Sequence, residues 1–124
     1  MNKKKVDIFE KLNAQIMSTY DEISVLSKKN PNDAVNKFKL AFVNNLISDS
    51  NTFLTEEYMP FKDFAKFDED DMPQNSDIVF ILSQYLECFE KFRSDNIHQT
   101  LATWYWTTDD KSSIITSRPK KLKN

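Results

Sequence analysis

The chain contains one histidine, His98, and one cysteine, Cys88. An imidazole and a thiol can form a nucleophilic pair when they lie within hydrogen-bond reach of each other. If one helix runs through both residues, their spacing corresponds to about 15 Å, far beyond that reach. A single cysteine forms no intramolecular disulfide, and two side chains are too few for a zinc site. We therefore expect a non-enzymatic protein without a metal or cofactor, with Cys88 as a core residue.

Glycine is absent from all 124 residues. Phosphate-binding loops, dinucleotide-binding turns and nucleophile elbows need glycine where the backbone approaches a ligand closely or takes a positive φ. The composition therefore excludes these glycine-dependent sites.

Four consecutive acids, Asp68, Glu69, Asp70 and Asp71, form the densest charge in the sequence. They lack the glycine and the distal glutamate of a calcium-binding loop, and consecutive side chains point in different directions. We expect a polar loop rather than a metal site. Phenylalanines precede the cluster at regular spacing, at positions 61, 64 and 67. Acids mixed with aromatic rings suit docking on a basic protein surface, although rings facing inward and acids facing outward would give the same pattern.

Trp104, Tyr105 and Trp106 form the densest aromatic cluster. In a strand, the two tryptophans share one face and the tyrosine takes the other. Exposed tryptophan and tyrosine are typical anchors of protein interfaces, so these three residues and the four acids are our candidate partner-binding residues. Burial of both strand faces in the core is the competing interpretation.

Basic residues concentrate at the two ends of the chain. Seven of the 17 lysines and arginines lie in residues 1–5 and 118–124, which leaves an acidic body of about −9 between them. We interpret residues 1–5 as a basic N-terminal tail and residues 118–124 as a basic C-terminal tail. A nucleic-acid interface would use the C-terminal cations together with stacking by the aromatic cluster. Its candidate residues are Arg118, Lys120, Lys121 and Lys123.

Residues 6–117 are interpreted as a single helical domain. Apolar residues at three- and four-residue spacing predict helices over residues 6–28, 34–47 and 77–96. A short helix is predicted from Pro60 to Phe67. The predicted apolar face of the second helix consists of Val35, Phe38, Ala41, Phe42 and Leu46, and Ser76 is the expected N-cap of the third.

Strand-forming residues replace the helical pattern near the C-terminus. They predict a hairpin over about residues 100–117, with Asp109 and Asp110 at the turn and Trp104 opposite Ile115. Without glycine, that turn must tolerate aspartate at unfavourable angles or be longer than two residues.

The sequence thus predicts a mainly α (α+β) fold, a small bundle of three longer helices and one short helix with a C-terminal β-hairpin. The longest aliphatic–aromatic run, residues 78–82, is far too short to span a membrane, so we expect a cytoplasmic protein without membrane contact. We expect a protein-protein interaction module, such as an accessory subunit, an inhibitor or an immunity-type protein of a microbe or phage. Nucleic-acid association is the alternative function, and homodimerisation is compatible with the pattern.

Overall fold

The computed structural model describes residues 1–120 and has the predicted mainly α fold. Helix α1 spans Lys3–Lys29, and the side chain of Asn2 caps it by accepting a hydrogen bond from the backbone N–H of Lys5. Lys3, Lys4 and Lys5, for which the sequence predicts a tail, therefore form the first turn of α1. Asn30 ends the helix as predicted, with φ −139° rather than the left-handed conformation.

Helix α2 spans Lys37–Tyr58 with a break at Thr55, whose φ is 62°. It starts later than predicted because Asn36 supplies the N-cap, and it also extends further. Its buried face is not the predicted one. The core side consists of Leu40, Val43, Ile47 and Leu54, whereas Phe38 and Phe42 are exposed. Two apolar stripes run along this helix, and burial of one leaves the other in solvent.

Helix α3 spans Asn75–Asp95. It begins one residue before the predicted cap, Ser76, because the Asp77 carboxylate accepts a hydrogen bond from the backbone N–H of Gln74. Contacts at the two ends of α3 determine the direction of α2 relative to it. The Tyr58 hydroxyl donates to Asp95 at the end of α3, and the Val35 N–H donates to the Pro73 carbonyl at its start, so α2 and α3 are parallel.

Helix α1 runs antiparallel to both other helices. The ring of Phe9, near its start, packs on Phe53, Phe89 and Phe92, while the carbonyl of Asn30, at its end, accepts a hydrogen bond from Asn75. These contacts place the aromatic centre of the core at the end of the bundle where α2 and α3 finish.

A return segment, residues 59–74, connects the parallel helices. The predicted short helix over residues 60–67 is wrong, because two asparagines of α2 bind this backbone in a non-helical form. Asn44 accepts from the Phe67 N–H and donates to its carbonyl, and Asn51 donates to the Phe64 carbonyl. The short helical element comes later, as a 3₁₀ turn at Glu69–Asp71.

Three antiparallel strands follow α3: β1 (Ile97–Thr100), β2 (Thr103–Trp106) and β3 (Ile115–Thr116), in the order β1-β2-β3. The predicted hairpin between β2 and β3 is present, but β1 was not predicted. The register also differs by one residue, since Tyr105 rather than Trp104 lies opposite Ile115.

The loop from β2 to β3 explains the shifted register. It spans residues 107–114, and the Asp110 carboxylate accepts hydrogen bonds from the backbone and hydroxyl of Ser112, which lower the pKa of Asp110 to about 2. The Asp109 N–H donates to the Met1 carbonyl, which ties the loop to the start of α1. A tight turn at Asp109 and Asp110 is therefore replaced by a longer loop.

Candidate functional site

The inner face of the sheet belongs to the core. Trp106 is 1% exposed, and its ring lies edge-on to Phe9 with 5.0 Å between centroids. Its indole Nε1 has no hydrogen-bond partner among the described residues. Trp104 shares this face and is half-buried. Trp106, a candidate partner-binding residue from the sequence, is thus a core residue and inaccessible in this conformation.

The outer face of the sheet is defined here as His98, Tyr105 and Ile115, which lie side by side on β1, β2 and β3. Ile115 is 70% exposed, and Tyr105 is half-buried, like Trp104, with its ring stacked on His98 at a centroid distance of 6.1 Å. The His98 Nδ1 is 2.8 Å from the Thr107 hydroxyl. The outer face therefore presents Ile115 to solvent beside a half-buried tyrosine ring, on strands that are hydrogen-bonded to each other.

Leu101, at the turn between β1 and β2, is a second exposed apolar residue of the sheet region. It is 95% exposed, and its φ of 57° is a value that glycine or asparagine adopts far more readily. Leu101 and Ala102 form a two-residue connection that lacks any usual turn residue. The turn thus combines backbone strain with an exposed leucine, and neither stabilises the fold.

Arg93 and Glu90 attach the C-terminal segment to α3. The Arg93 side chain is only 7% exposed and donates two hydrogen bonds to the Glu90 carboxylate, both 2.8 Å long. It also donates to the Thr116 hydroxyl and to the carbonyls of Ser117 and Arg118. We call Glu90 and Arg93 the C-terminal clamp.

The clamp also determines the charge state of Glu90. Burial of the carboxyl opposes its ionisation, but the hydrogen bonds from Arg93 and from the backbone N–H of Lys120, with the nearby positive charge, outweigh that cost. The pKa of Glu90 therefore lies below its ordinary value.

Residues 118–120 are consequently held in place, although the sequence predicts that they belong to a tail. Arg118 and Lys120 are exposed on either side of Pro119, which is buried. Lys121 and Lys123, the other two candidate nucleic-acid contacts, lie outside the described residues.

The acidic turn, defined as Asp68, Glu69, Asp70 and Asp71, is exposed at all four positions. Asp68 caps it by accepting a hydrogen bond from the Asp70 N–H, and the double hydrogen bond from Asn44 to Phe67 anchors its base. Phe64 and Phe67, which precede the acids, are half-buried against the core, whereas Phe61 is exposed and stacks on Phe80 of α3. The acids therefore form a polar surface in which Phe64 and Phe67 do not take part.

The acidic turn and the sheet lie at opposite ends of α3. That helix has 21 residues, and 1.5 Å per residue separates its ends by about 30 Å. The two groups of candidate partner-binding residues are therefore not brought together, and they form two distinct surfaces.

Cys88 and His98 occupy different environments. Cys88 lies in α3, about two turns before its end, and burial raises the pKa of its thiol. His98 lies on the exposed side of β1 and contacts Tyr105 and Thr107. Among residues 1–120, no group of three or more histidine, cysteine, aspartate or glutamate side chains is arranged to hold a metal ion.

Comparison of the chain with protein-family models, with curated protein sequences and with solved structures found no match. None of the helices within residues 1–120 combines the length and the apolar character needed to cross a membrane.

Several structurally important residues were missed by sequence reasoning. The clamp carries a readable signal, since Glu90 and Arg93 are three residues apart on a helix and can form an ion pair. Leu101 has no such signal in the sequence, because its exposed position depends on a turn that contains none of the usual turn residues.

Proposed function

We propose that this protein is a non-enzymatic protein-binding module, and that its partner contacts the outer face of the sheet together with Leu101. The observation that carries the proposal is the exposure of Leu101 and Ile115, 95% and 70%, with the half-buried ring of Tyr105 beside Ile115. Small proteins gain nothing in stability from apolar side chains left in water, whereas interfaces bury such residues at their centre. An accessory, inhibitory or immunity-type role fits such a module.

The strained turn supports this assignment. A leucine at φ 57° costs roughly 1 kcal/mol or more relative to glycine, and its side chain buries no area within the chain in return. The chain contains no glycine, and Thr55, Met72 and Lys111 also take a positive φ, so Leu101 is distinguished by combining such a φ with a side chain that is 95% exposed. Contact with a partner gives this side chain a use, because an exposed leucine at a turn can enter a pocket.

The acidic turn is a second contact surface in this proposal. Its four carboxylates are exposed and their backbone is fixed, which suits a basic region on the partner. At about 30 Å from the sheet, it is well beyond the screening length of about 8 Å at physiological salt. Its charge therefore acts on a separate region of the partner and does not strengthen contacts at the sheet directly.

The experiment is affinity capture from cells that produce the protein, with the bound proteins quantified by mass spectrometry. We compare the wild type with the double variant Tyr105→Ser/Ile115→Ser. Phe80→Ser, at an exposed ring on α3, is the matched control. We expect one or more stoichiometric proteins to be lost with the double variant and kept with the control. Identical profiles for all three chains would refute the proposal.

Charge reversal tests the acidic turn separately. Replacing Asp68, Glu69, Asp70 and Asp71 with lysine is expected to slow association with the captured partner at least tenfold at low salt, since steering of this kind is electrostatic. Association rates that do not change at low ionic strength would remove this surface from the proposal while leaving the sheet in it.

Nucleic-acid association is the second candidate function. Arg118 and Lys120 favour it, because both are exposed at fixed positions directly after β3, at the same end of the molecule as Tyr105. The test is fluorescence anisotropy with a single-stranded oligonucleotide over a range of salt concentrations. Substitution of Arg118, Lys120, Lys121 and Lys123 with glutamine is preferable to truncation, because truncation would also remove the clamp's partners. Binding that is absent, or insensitive to salt, would exclude this function.

A further inference from the structure

An open cavity lies between α1 and α2, toward the end of α2. It measures about 830 Å³, and small-molecule sites in proteins usually measure about 300–1,000 Å³. Its apolar wall is formed by Ile8, Leu12, Phe53 and Phe92. Ile8 is 41% exposed, so a ligand seated in the cavity would remove apolar surface from water.

The break in α2 shapes this cavity. Thr55 lines it and has φ 62° and ψ −178°, a combination that is almost confined to glycine and is concentrated at ligand sites. Asp49 and Tyr58 are about two and a half turns apart, so an unbroken helix would place them on opposite faces. Both line the cavity because α2 is kinked between them. The hydrogen bond from the Tyr58 hydroxyl to Asp95 holds the last turn of α2 in this position.

The two helices contribute opposite charges to the cavity. Lys5 and Lys11 line it from α1, and Asp49 and Glu57 line it from α2. All four residues are exposed, and within residues 1–120 none of the four side chains forms an ion pair. These charges are therefore available to a ligand that presents an anion to α1 and a cation to α2.

The spacing of the two helices indicates the length of such a ligand. Helices α1 and α2 are in contact, and the axes of packed helices lie about 8–10 Å apart. An extended peptide spans at most about 3.3–3.6 Å per residue, so the two ends of a tripeptide are separated by roughly 10 Å. A tripeptide with free termini thus has opposite charges at the required separation, and apolar side chains on it can cover Ile8 and Phe53.

We propose that this cavity binds a short apolar peptide of about three residues with free termini. The carboxylate of the peptide contacts Lys5 and Lys11, and its ammonium group contacts Asp49 and Glu57. The outer face of the sheet contributes no residue to the cavity lining. The success or failure of this proposal is therefore independent of the protein-binding function proposed above.

The first test is a titration of the ¹⁵N-labelled full chain, followed by amide chemical shifts. The probe is the tripeptide phenylalanyl-leucyl-phenylalanine, compared with its N-acetylated form and its C-terminal amide. We expect the free tripeptide to bind with a dissociation constant below about 1 mM and to shift the amides of residues 5–15 and 49–58. Each blocked form should bind roughly threefold more weakly or worse, since exposed ion pairs are individually weak. No saturable binding, shifts confined to other residues, or equal affinities for the three forms would overturn the proposal.

Charge-neutralising variants test which wall contacts which end of the peptide. Lys5→Gln/Lys11→Gln should weaken binding of the free tripeptide by roughly threefold or more, but not binding of the amide, which lacks the carboxylate. Asp49→Asn/Glu57→Gln should weaken binding of the free tripeptide similarly, but not binding of the acetylated form, which lacks the ammonium group. Losses that do not depend on the blocked end would overturn the assignment of the two walls.

Two controls complete the experiment. Asp7→Asn/Glu10→Gln neutralises exposed charges of α1 that do not line the cavity, and it should leave the affinity unchanged. All variants should keep the wild-type circular dichroism spectrum, because the substituted residues are exposed. Decanoate represents the competing class of ligand, an anion with an apolar chain. Tighter binding of decanoate than of the tripeptide in this cavity, or a control variant that loses affinity as the others do, would overturn the proposal.

Discussion

The two faces of β2 carry similar aromatic residues that differ in how deeply they are buried. Trp106, on the inner face, is 1% exposed and packs on Phe9, while Tyr105, its neighbour in sequence, is half-buried beside an isoleucine that is 70% exposed. Because alternate residues of a strand point to opposite faces, one short aromatic run can serve the core and an outward surface at once. The inner face holds the sheet on the helices, and in our proposal the outer face binds the partner.

The largest effect is expected on the inner face. Trp106→Ala should lower the free energy of unfolding by about 3–5 kcal/mol, since truncating a large buried aromatic leaves a cavity that the core does not refill. Denaturant unfolding followed by circular dichroism measures the loss. Trp106→Phe is the matched control and should cost clearly less, because it keeps a ring against Phe9. Equal losses for the two variants would show that the ring contact is not what stabilises the sheet.

The clamp comes second. Arg93→Ala should destabilise the fold by about 3 kcal/mol, because it leaves the Glu90 carboxylate poorly solvated without its counterion. It also frees the carbonyls of Ser117 and Arg118. Hydrogen exchange of residues 115–120 is expected to speed up more than that of α1. Uniform exchange across the chain would instead indicate that the clamp has no local role.

Acid should weaken the clamp by a smaller amount. The folded-state pKa of Glu90 lies below its unfolded value, near 4.5, so its contribution is complete above that pH. The contribution is lost as the pH falls through the lower folded value. Glu90→Gln should flatten this part of the stability profile when unfolding is measured between neutral pH and pH 3. A profile with the same slope in both chains would contradict the assignment.

A substitution at Leu101 should change the stability of the fold and the affinity for the partner in opposite directions. Leu101→Gly is expected to stabilise the protein by about 0.5–1 kcal/mol, because glycine tolerates the positive φ. The same change should weaken partner binding, since the exposed side chain is gone. Thermal unfolding and a binding assay on the same sample measure both. A variant that is more stable and binds equally well would remove Leu101 from the interface.

The smallest loss of stability is expected on the outer face. Tyr105→Ser/Ile115→Ser should lower the free energy of unfolding by about 1 kcal/mol, well below the loss for Trp106→Ala, because Ile115 is 70% exposed and Tyr105 is only half-buried. A much larger loss would mean that the outer face supports the fold, which would break the contrast with Trp106.

Much of the fold could be predicted from the sequence because α1 and α3 each carry one dominant apolar stripe. Helix α2 carries two apolar stripes, one with Phe38 and one with Leu40. Which stripe is buried depends on packing against α1 and α3, and no local sequence pattern reveals that packing. Strand β1 was missed since its turn, at Leu101 and Ala102, contains none of the residues that normally mark one.

The candidate site was predictable only in part. Alternation correctly separates Tyr105 from the two tryptophans, but it does not say which face is covered. That choice depends on Phe9, which is 97 positions away in sequence from Trp106. The separation of the acidic turn from the sheet likewise follows from the position of α3 between them.

Site-specific photo-crosslinking tests the central contrast most directly. Benzoylphenylalanine is placed at position 105, on the outer face, or at position 80, an exposed position on α3, and cells producing each protein are irradiated. We predict a discrete adduct with another protein from position 105 and none of that mass from position 80. No adduct at position 105, or the same adducts from both positions, would contradict the account of the outer face as a binding surface.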